Sequence, residues 1–400
     1  MKFKQDSHLL SQVNLPLIEA LITSINQQNG VFYAPGHKKG QGISPALANL
    51  LGKRAFRADL PELPELDNLF APSGVIQKAQ ELASETFGAD RTWFLVNGST
   101  CGIIASILAT CGPGDKIILP RNIHQSAIAG LILSGAVPIF LNPEYDPNWD
   151  LVHSITPDAL ERALMENSDV KAVLIVYPTY HGICGDLSAI ATITHHYDIP
   201  LLVDEAHGGH FAFHPNLPGS ALSLGADLTV QSTHKVLGAM TQASMLHLQG
   251  NRIEPQRINQ ALQLIESSSP SYLLLASLDG ARQQMALQGK ELLSQTLELA
   301  TIARQEISEI EGLSILSLEQ PKLGFQQLDI TRLTINITSL GLSGFEVDEL
   351  LHQQLGVTAE LPMLCHLAFI ISIGNTKEDI KQLIKAFKTL ISNFSLSPSL

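Results

Sequence analysis

The sequence has few cysteines, few aromatic residues and few charges for its length. Its 400 residues include 4 cysteines, 6% aromatic residues and 16% charged residues. The cysteines form no Cys-x-x-Cys pair, so reduced thiols in a cytoplasmic protein are the simplest interpretation. The 25 lysines and arginines are outnumbered by 38 acidic residues, which argues against a general nucleic-acid binder because phosphate contacts require a basic surface.

Long hydrophobic runs are also missing. No stretch reaches the roughly eighteen apolar residues of a transmembrane helix, and the N-terminus MKFKQDSHLLSQ lacks the apolar core of a signal peptide. We therefore expect no membrane span and no secretory leader. The fourteen histidines are scattered, and we predict no metal site. Hydrophobic residues, in contrast, are abundant: they make up 45% of the chain and occur in short runs. This content predicts an extensive core and a large buried interface.

Short apolar runs alternate with stretches of helical spacing through the first 250 residues. The runs predicted as strands are 92–96, 116–120, 137–141, 171–177, 200–204, 227–232 and 244–248. They are apolar on both faces, as in a parallel sheet that is covered by helices. Helical spacing occupies 75–87 and 186–197. This alternation predicts an α/β fold with an open, mostly parallel sheet.

The pattern changes after about residue 250. It predicts one or two long helices over 276–312, followed by two strands and two helices over 331–338, 343–356, 368–374 and 376–394. We interpret this part as a small C-terminal α+β domain, with a boundary somewhere within 275–315. The expected division is an N-terminal helical segment, a large domain and a small domain over 1–30, 31–290 and 291–400.

Polar residues follow several predicted strands, at the edge where open α/β sheets bind ligands. Gly98, Ser99 and Thr100 precede an apolar helix, whose free N–H groups and dipole favour phosphate. An ordinary helix cap is the alternative. His124 follows the next strand and suits stacking on a flat ring or bonding a carboxylate, with a plain loop or helix-capping position as the alternative. Thr179 lies in a turn and can donate a hydrogen bond to a ligand.

A carboxylate and a lysine end two further apolar runs. Asp204 ends "PLLVD", where a buried carboxylate needs a cationic partner such as a protonated ring nitrogen, unless it caps a helix. Lys235 follows "DLTVQSTH", and a lysine in an enclosed site can lose its proton and form a Schiff base, although a surface turn is the ordinary interpretation. Pyridoxal 5'-phosphate (PLP) has a phosphate, a flat ring, a protonated nitrogen and an aldehyde. The order of these residues therefore predicts a PLP site.

The chain resembles the Orn/Lys/Arg decarboxylases, which are fold-type-I PLP-dependent enzymes. The stretches that carry the resemblance include "APGHKKG" (34–40), "FLVNGST" (94–100), "PTYHGICGDL" (178–187), "VDEAHGGHF" (203–211) and "QSTHKVLGAMTQASMLH" (231–247). The resemblance implies the aspartate-aminotransferase-like fold and a homodimer with active sites at the interface. It also implies decarboxylation of arginine, lysine or ornithine in polyamine synthesis, with arginine placed first on the habit of the family.

The resemblance further implies a role for each site residue. Lys235 matches the Schiff-base lysine, Asp204 the aspartate on the pyridinium nitrogen, and His124 the histidine stacked on the ring. The residues expected around the phosphate and the ring are Gly98, Ser99, Thr100, Thr179, Ala206, His207, Ser232 and His234. The segment around His37 matches the N-terminal piece that lines the active-site entrance.

Two departures from the family pattern leave the substrate open. Gln125 stands where the family has lysine, and we expect the family's extra C-terminal domain to be shortened or absent. A basic substrate needs an acidic group for its distal cation. Glu62, Glu65 and Asp67 are the candidates, within one chain or across the dimer, and a solvated loop is the favoured alternative.

Two other functions remain open at this point. An aminotransferase or another PLP-dependent lyase would keep the cofactor, and Arg332 stands where an arginine could hold the α-carboxylate of an aminotransferase substrate. A non-catalytic PLP-binding paralogue is the third possibility. The intact Lys235, Asp204 and His124 argue against it.

Overall fold

The computed structural model describes residues 11–394, and a seven-stranded sheet lies at its centre. The strands of this sheet are β1 Arg91–Leu95, β2 Lys116–Pro120, β3 Val137–Leu141, β4 Val170–Val176, β5 Leu201–Asp204, β6 Leu228–Gln231 and β7 Ser244–Leu248. Their order across the sheet is β1-β7-β6-β5-β4-β2-β3. The last three strands of this sheet in chain order, β5 to β7, are buried along their whole length, as expected for strands that are apolar on both faces.

All of the predicted strands of the large sheet are present, within one or two residues of their predicted bounds. The sheet is mostly parallel, as predicted, but β7 runs antiparallel to both β1 and β6. The hydrophobic pattern gave no sign of this direction, because a strand that is buried on both faces reads the same in either orientation.

Helices cover both faces of this sheet and continue into the C-terminal part of the chain. They are α1 Pro16–Asn26, α2 Pro45–Ala58, α3 Val75–Phe87, α4 Gly98–Thr110, α5 Gln125–Ser134, α6 Pro157–Glu166, α7 Leu187–His196, α8 Thr233–Val236, α9 Pro255–Ile265, α10 Tyr272–Ser308, α11 Gly344–Gln354 and α12 Lys377–Phe394. The ends follow ordinary helix chemistry: α3, for example, stops at Gly88, whose φ of 74° lies in the left-handed region. No helix within residues 11–394 combines the length and hydropathy needed to cross a membrane.

A second, antiparallel sheet follows the long helix α10. Its strands are β8 Ser314–Ile315, β9 Arg332–Asn336, β10 Leu361–Pro362 and β11 His366–Ile370. They are arranged in the order β8-β9-β11-β10, and their core includes residues of α11, α12 and the end of α10. The expected boundary between 290 and 291 falls inside α10, which is a single continuous helix. The division into domains stays a prediction.

The large sheet determines where the polar residues meet. Strands β1, β2, β4, β5 and β6 all run in the same direction, since β1 and β6 are both antiparallel to β7. Their carboxyl ends therefore lie at one edge of the sheet, which is where an open α/β sheet places its ligand site.

Candidate active site

A cavity of about 470 Å³ lies at the carboxyl-end edge of the large sheet. Its wall contains seven of the residues predicted for the site, namely Ser99, His124, Thr179, Asp204, Ala206, His207 and Lys235. Residues near the second sheet, Leu361 and Met363, close the opposite side. The fold thus brings together side chains that are more than 100 residues apart in the sequence.

Lys235 lies in the short helix α8, directly after β6, and its Nζ is 2.8 Å from Nε2 of His207. Burial lowers the pKa of Lys235, and the charge of Arg332 acts in the same direction, against Asp204 and Glu360. Burial also holds the pKa of His207 well below its ordinary value, so its imidazole is neutral and accepts a hydrogen bond from Lys235. A lysine with a lowered pKa releases its proton more easily, as attack on an aldehyde requires.

Asp204 ends β5 and is 7% exposed. Its Oδ1 accepts a hydrogen bond from the N–H group of Ala206 at 3.2 Å. Burial raises the pKa of Asp204, while the Ala206 N–H group and the positive charge of Lys235 act against that rise. A buried carboxylate with this little compensation suits a cationic ligand group, and the protonated nitrogen of a pyridine ring is such a group.

His124 is both a cavity residue and a helix cap. It precedes α5, where its Nδ1 accepts a hydrogen bond from the N–H group of Ser126 and lies 2.9 Å from Oγ of the same serine. The cap interpretation of the sequence is therefore correct, and it does not compete with a role in the cavity. Fixing one nitrogen of the ring leaves the orientation of the imidazole defined at the cavity wall.

The first turn of α4 forms the end of the cavity suited to a phosphate. Gly98 begins the helix with a φ of 75°, a conformation that glycine adopts without strain. Oγ of Ser99 lies 2.7 Å from Oγ of Ser232, which joins the ends of β1 and β6. The backbone just before the helix is held by Glu266, whose Oε1 accepts from the N–H groups of Val96 and Asn97 at 3.0 Å each.

The other residues predicted to surround the phosphate do not line the cavity. Gly98, Thr100, Ser232 and His234 are not part of the cavity wall, and Thr100 is exposed. His234 donates through Nδ1 to the carbonyl of Ala243 at 3.0 Å. These residues shape the loop around the anion site, and their direct contact with a phosphate stays a prediction.

The segment expected at the entrance does not reach this cavity within one chain. His37 pairs with Asp59, with 3.0 Å between Nε2 and Oδ2. The acidic candidates for the substrate cation are also engaged elsewhere. Glu62 accepts hydrogen bonds from the Asn68 side chain and the Leu69 backbone, Glu65 accepts from Ser24, and Asp67 binds the N–H groups of its own loop.

For these three acids the contacts within a single chain are local, as the loop interpretation expects, and a role across a dimer interface stays a prediction. The physical reason is local. Free N–H groups at the start of α3 lie closer to the Asp67 carboxylate than the cavity does, and a carboxylate binds such groups readily.

Tyr180 and Asp150 are among the wall residues that were not predicted from the sequence. The ring centroid of Tyr180 is 4.1 Å from that of His207 and 5.2 Å from Nζ of Lys235. Its position directly after Thr179 was the signal that could have identified it. No local pattern marks Asp150, because only the fold brings its hairpin to the cavity.

Arg332 lies directly behind the cavity wall. Its side chain is 1% exposed, and Nη2 donates to the carbonyl of His207 at 2.8 Å. Nε is 3.7 Å from the Asp329 carboxylate, and neither Nε nor Nη1 has a hydrogen-bond partner among residues 11–394. The guanidinium therefore retains donor capacity next to the site.

The residues of the cavity fit PLP. The Nδ1 atom of His207 is buried without a hydrogen-bond partner in the described part of the chain, and His207 shares the cavity wall with the undercompensated Asp204. The N–H groups of α4, Asp204 and Lys235 match the phosphate, the ring nitrogen and the aldehyde of this cofactor. Among residues 11–394, no group of three or more His, Cys, Asp or Glu side chains is arranged to hold a metal ion.

Comparison with known proteins agrees with this site. The family described as Orn/Lys/Arg decarboxylase, major domain, matches residues 15–323. The arginine decarboxylase of Bacillus subtilis is 40% identical over 388 residues, which cover 96% of this chain and 79% of that protein.

Solved structures of lysine decarboxylases share the fold. Lysine decarboxylase A from Pseudomonas aeruginosa matches with a TM-score of 0.85 and 24% identity, and the lysine decarboxylase of Francisella novicida with a TM-score of 0.83 and 23% identity. Each match covers 96% of this chain and 61% of the other, so the chain spans about three fifths of their length. The predicted fold and resemblance are confirmed, and the chain belongs to the Orn/Lys/Arg decarboxylase family.

Proposed function

We propose that this protein removes the α-carboxylate of a basic amino acid as CO2, with PLP as cofactor and arginine as the preferred substrate. The observation that carries the proposal is the pair formed by Lys235 and Asp204 in one cavity, the first with a lowered pKa and the second buried with a single hydrogen bond. Family membership and the names of the relatives, four of which are called arginine decarboxylase, support the choice of reaction and substrate.

Residues of this chain would hold each part of the cofactor. Lys235 would bind the aldehyde, Asp204 would keep the ring nitrogen protonated, the first turn of α4 would bind the phosphate, and His124 would pack against the ring. When bound, PLP supplies an electron sink for the bond between Cα and the carboxylate. Asp204 strengthens that sink because its negative charge stabilises the protonated ring nitrogen in a site shielded from water.

A proton must return to Cα after CO2 leaves. Lys235 and His124 are both in the cavity wall. Lys235 also donates a hydrogen bond to the neutral imidazole of His207. We assign the return of the proton to this group of side chains. The lowered pKa of Lys235 means that its ammonium group releases a proton more easily than that of an exposed lysine.

The proposal includes a homodimer with its active sites at the interface, in the cytoplasm. Large apolar side chains on α5 and the adjacent β3 support burial against a second copy, for example Ile132 at 75% and Leu133 at 59% exposure. All four cysteines are free thiols, in keeping with a reducing compartment.

Aminotransfer is the second candidate function, because two guanidinium nitrogens of Arg332, close to the site, have no hydrogen-bond partner among residues 11–394. The two reactions are separated by supplying PLP-loaded protein with carboxyl-labelled arginine, lysine or ornithine in turn, with and without a keto acid. Release of labelled CO2 without a keto acid supports decarboxylation. Transfer of the amino group to the keto acid, with the label kept in the product, would show aminotransfer and contradict the proposed decarboxylation.

A further inference from the structure

The cavity contains a second carboxylate beside that of Asp204. Among the residues that line it, Asp204 and Asp150 are the two acids. Under the proposed function, Asp204 at the end of β5 binds the ring nitrogen of the cofactor. Its carboxylate is therefore not free to bind the substrate. A basic substrate carries a second positive charge at the far end of its side chain, and this charge needs an anionic partner when it leaves water.

Asp150 is held in place by the hairpin that it belongs to. It lies between the short strands Tyr145–Asp146 and Leu151–Val152, which pair antiparallel. Its φ of 49° lies in the left-handed region, which aspartate tolerates better than most residues. The hydroxyl of Tyr145 donates to Oδ1 of Asp150 at 2.8 Å, and Oδ2 has no hydrogen-bond partner among residues 11–394. One oxygen is thus fixed and the other is open to a ligand.

The surroundings of Asp150 suit the rest of a long basic side chain. Leu151 and Val152 follow it in the wall, and Leu361 and Met363 line the wall from the side of the second sheet. Apolar walls of this kind pack against the methylene groups of arginine or lysine while the charged end meets a carboxylate. A planar guanidinium bonds a carboxylate with two parallel N–H groups, which is the strongest such pairing.

We propose that Asp150 binds the distal cation of the substrate and that Tyr145 is the positioning residue for its carboxylate. This inference rests on the proposed function for its substrate. Within one chain Asp150 fits this role better than the acids at 62, 65 and 67, which accept hydrogen bonds from local donors and are not part of the cavity wall. Glu360, whose charge also acts on Lys235, is exposed and is not part of the cavity wall.

The test compares Asp150→Asn with the wild type in two assays. In the first, the KM and kcat for arginine are measured by CO2 release. We expect KM to rise roughly 10- to 100-fold, since a charged hydrogen bond is replaced by a neutral one, with a smaller change in kcat. Tyr145→Phe should raise KM less, because it leaves the charge of Asp150 in place.

In the second assay, binding of propylguanidine and its neutral isostere propylurea to PLP-loaded protein is measured by calorimetry. Asp150→Asn should weaken the binding of propylguanidine by a similar factor and leave the binding of propylurea unchanged. Asp158→Asn, which removes the same charge from the exposed first turn of α6, is the matched control and should alter neither assay.

The outcomes separate the two proposals. An unchanged KM for arginine and unchanged propylguanidine binding in Asp150→Asn would overturn the inference, and so would a loss of guanidinium preference in Glu360→Gln alone. A third outcome is that wild-type protein releases no CO2 from arginine, while Asp150→Asn binds propylguanidine more weakly than the wild type does. That outcome would support the cation site and contradict the proposed reaction.

Discussion

At the scale of single residues, the proposed reaction depends most on Asp204. Replacing it with asparagine keeps the shape but removes the charge that keeps the ring nitrogen protonated, so we expect kcat for CO2 release to fall about 100- to 1000-fold. The midpoint of thermal unfolding should change little, because the charged carboxylate is poorly compensated in its buried site. Near-wild-type kcat in protein with bound PLP would contradict the assignment, and Asp158→Asn again serves as the control for charge.

The sequence predicted the residues that follow strands better than the residues that meet across the fold. Lys235 and Asp204 each end an apolar run, so their place at one edge of a parallel sheet followed from general rules. Asp150 and Met363 meet in the cavity although more than 200 positions separate them, and no local pattern encodes that contact. Asp67 shows a different limit, since the sequence allows an acidic residue in a polar loop either to bind a ligand or to bind its own backbone, and the structure shows the backbone contacts.

At the scale of elements, Asp67 provides the N-terminal cap that α3 otherwise lacks. Gly74 at the N-cap position has no side chain to offer, and the Asp67 carboxylate accepts from the N–H groups of Ser73, Gly74 and Ile76 instead. We therefore expect Asp67→Asn to lower the free energy of unfolding by about 1 kcal/mol near pH 7. Urea denaturation followed by circular dichroism measures this, with Glu319→Gln, which removes an exposed charge outside any helix, for comparison.

The same substitution makes a prediction about pH. Partial burial raises the pKa of Asp67, but the N–H donors of Ser73, Asn68 and Gly74 outweigh burial and lower the pKa overall. Ionised Asp67 therefore contributes stability that is fully present above the ordinary aspartate pKa of about 4, and this contribution is lost as pH falls through the lower folded-state pKa. The difference between wild type and Asp67→Asn should shrink over that range, and a constant difference down to pH 3 would contradict the assignment.

The elements themselves were predictable where one periodicity dominates. The strands that are apolar on both faces and the helix over 75–87 appear close to their predicted bounds. The direction of β7 was not predictable, because direction is decided by the connection from α8 and not by any residue in the strand. The continuity of α10 was left open for a related reason, since its 37 residues span from the large sheet to the second one.

At the scale of the whole molecule, the exposed apolar surface predicts self-association. Sedimentation equilibrium of the PLP-loaded protein should give twice the chain mass of 43.3 kDa. Ile132→Glu, which places a charge on the exposed apolar face of α5, should shift the protein toward the monomer. A wild-type protein that sediments as a monomer at micromolar concentration would contradict the homodimer.

The measurement that tests the central claim most directly is the balance of products from carboxyl-labelled arginine. PLP-loaded wild-type protein should release labelled CO2 and the corresponding amine in equal amounts, whereas Lys235→Ala should release neither. Measured absorbance should show in the same samples that only the wild type binds the cofactor aldehyde covalently. No CO2 from arginine, lysine or ornithine in wild-type protein with the cofactor attached to Lys235 would contradict the account.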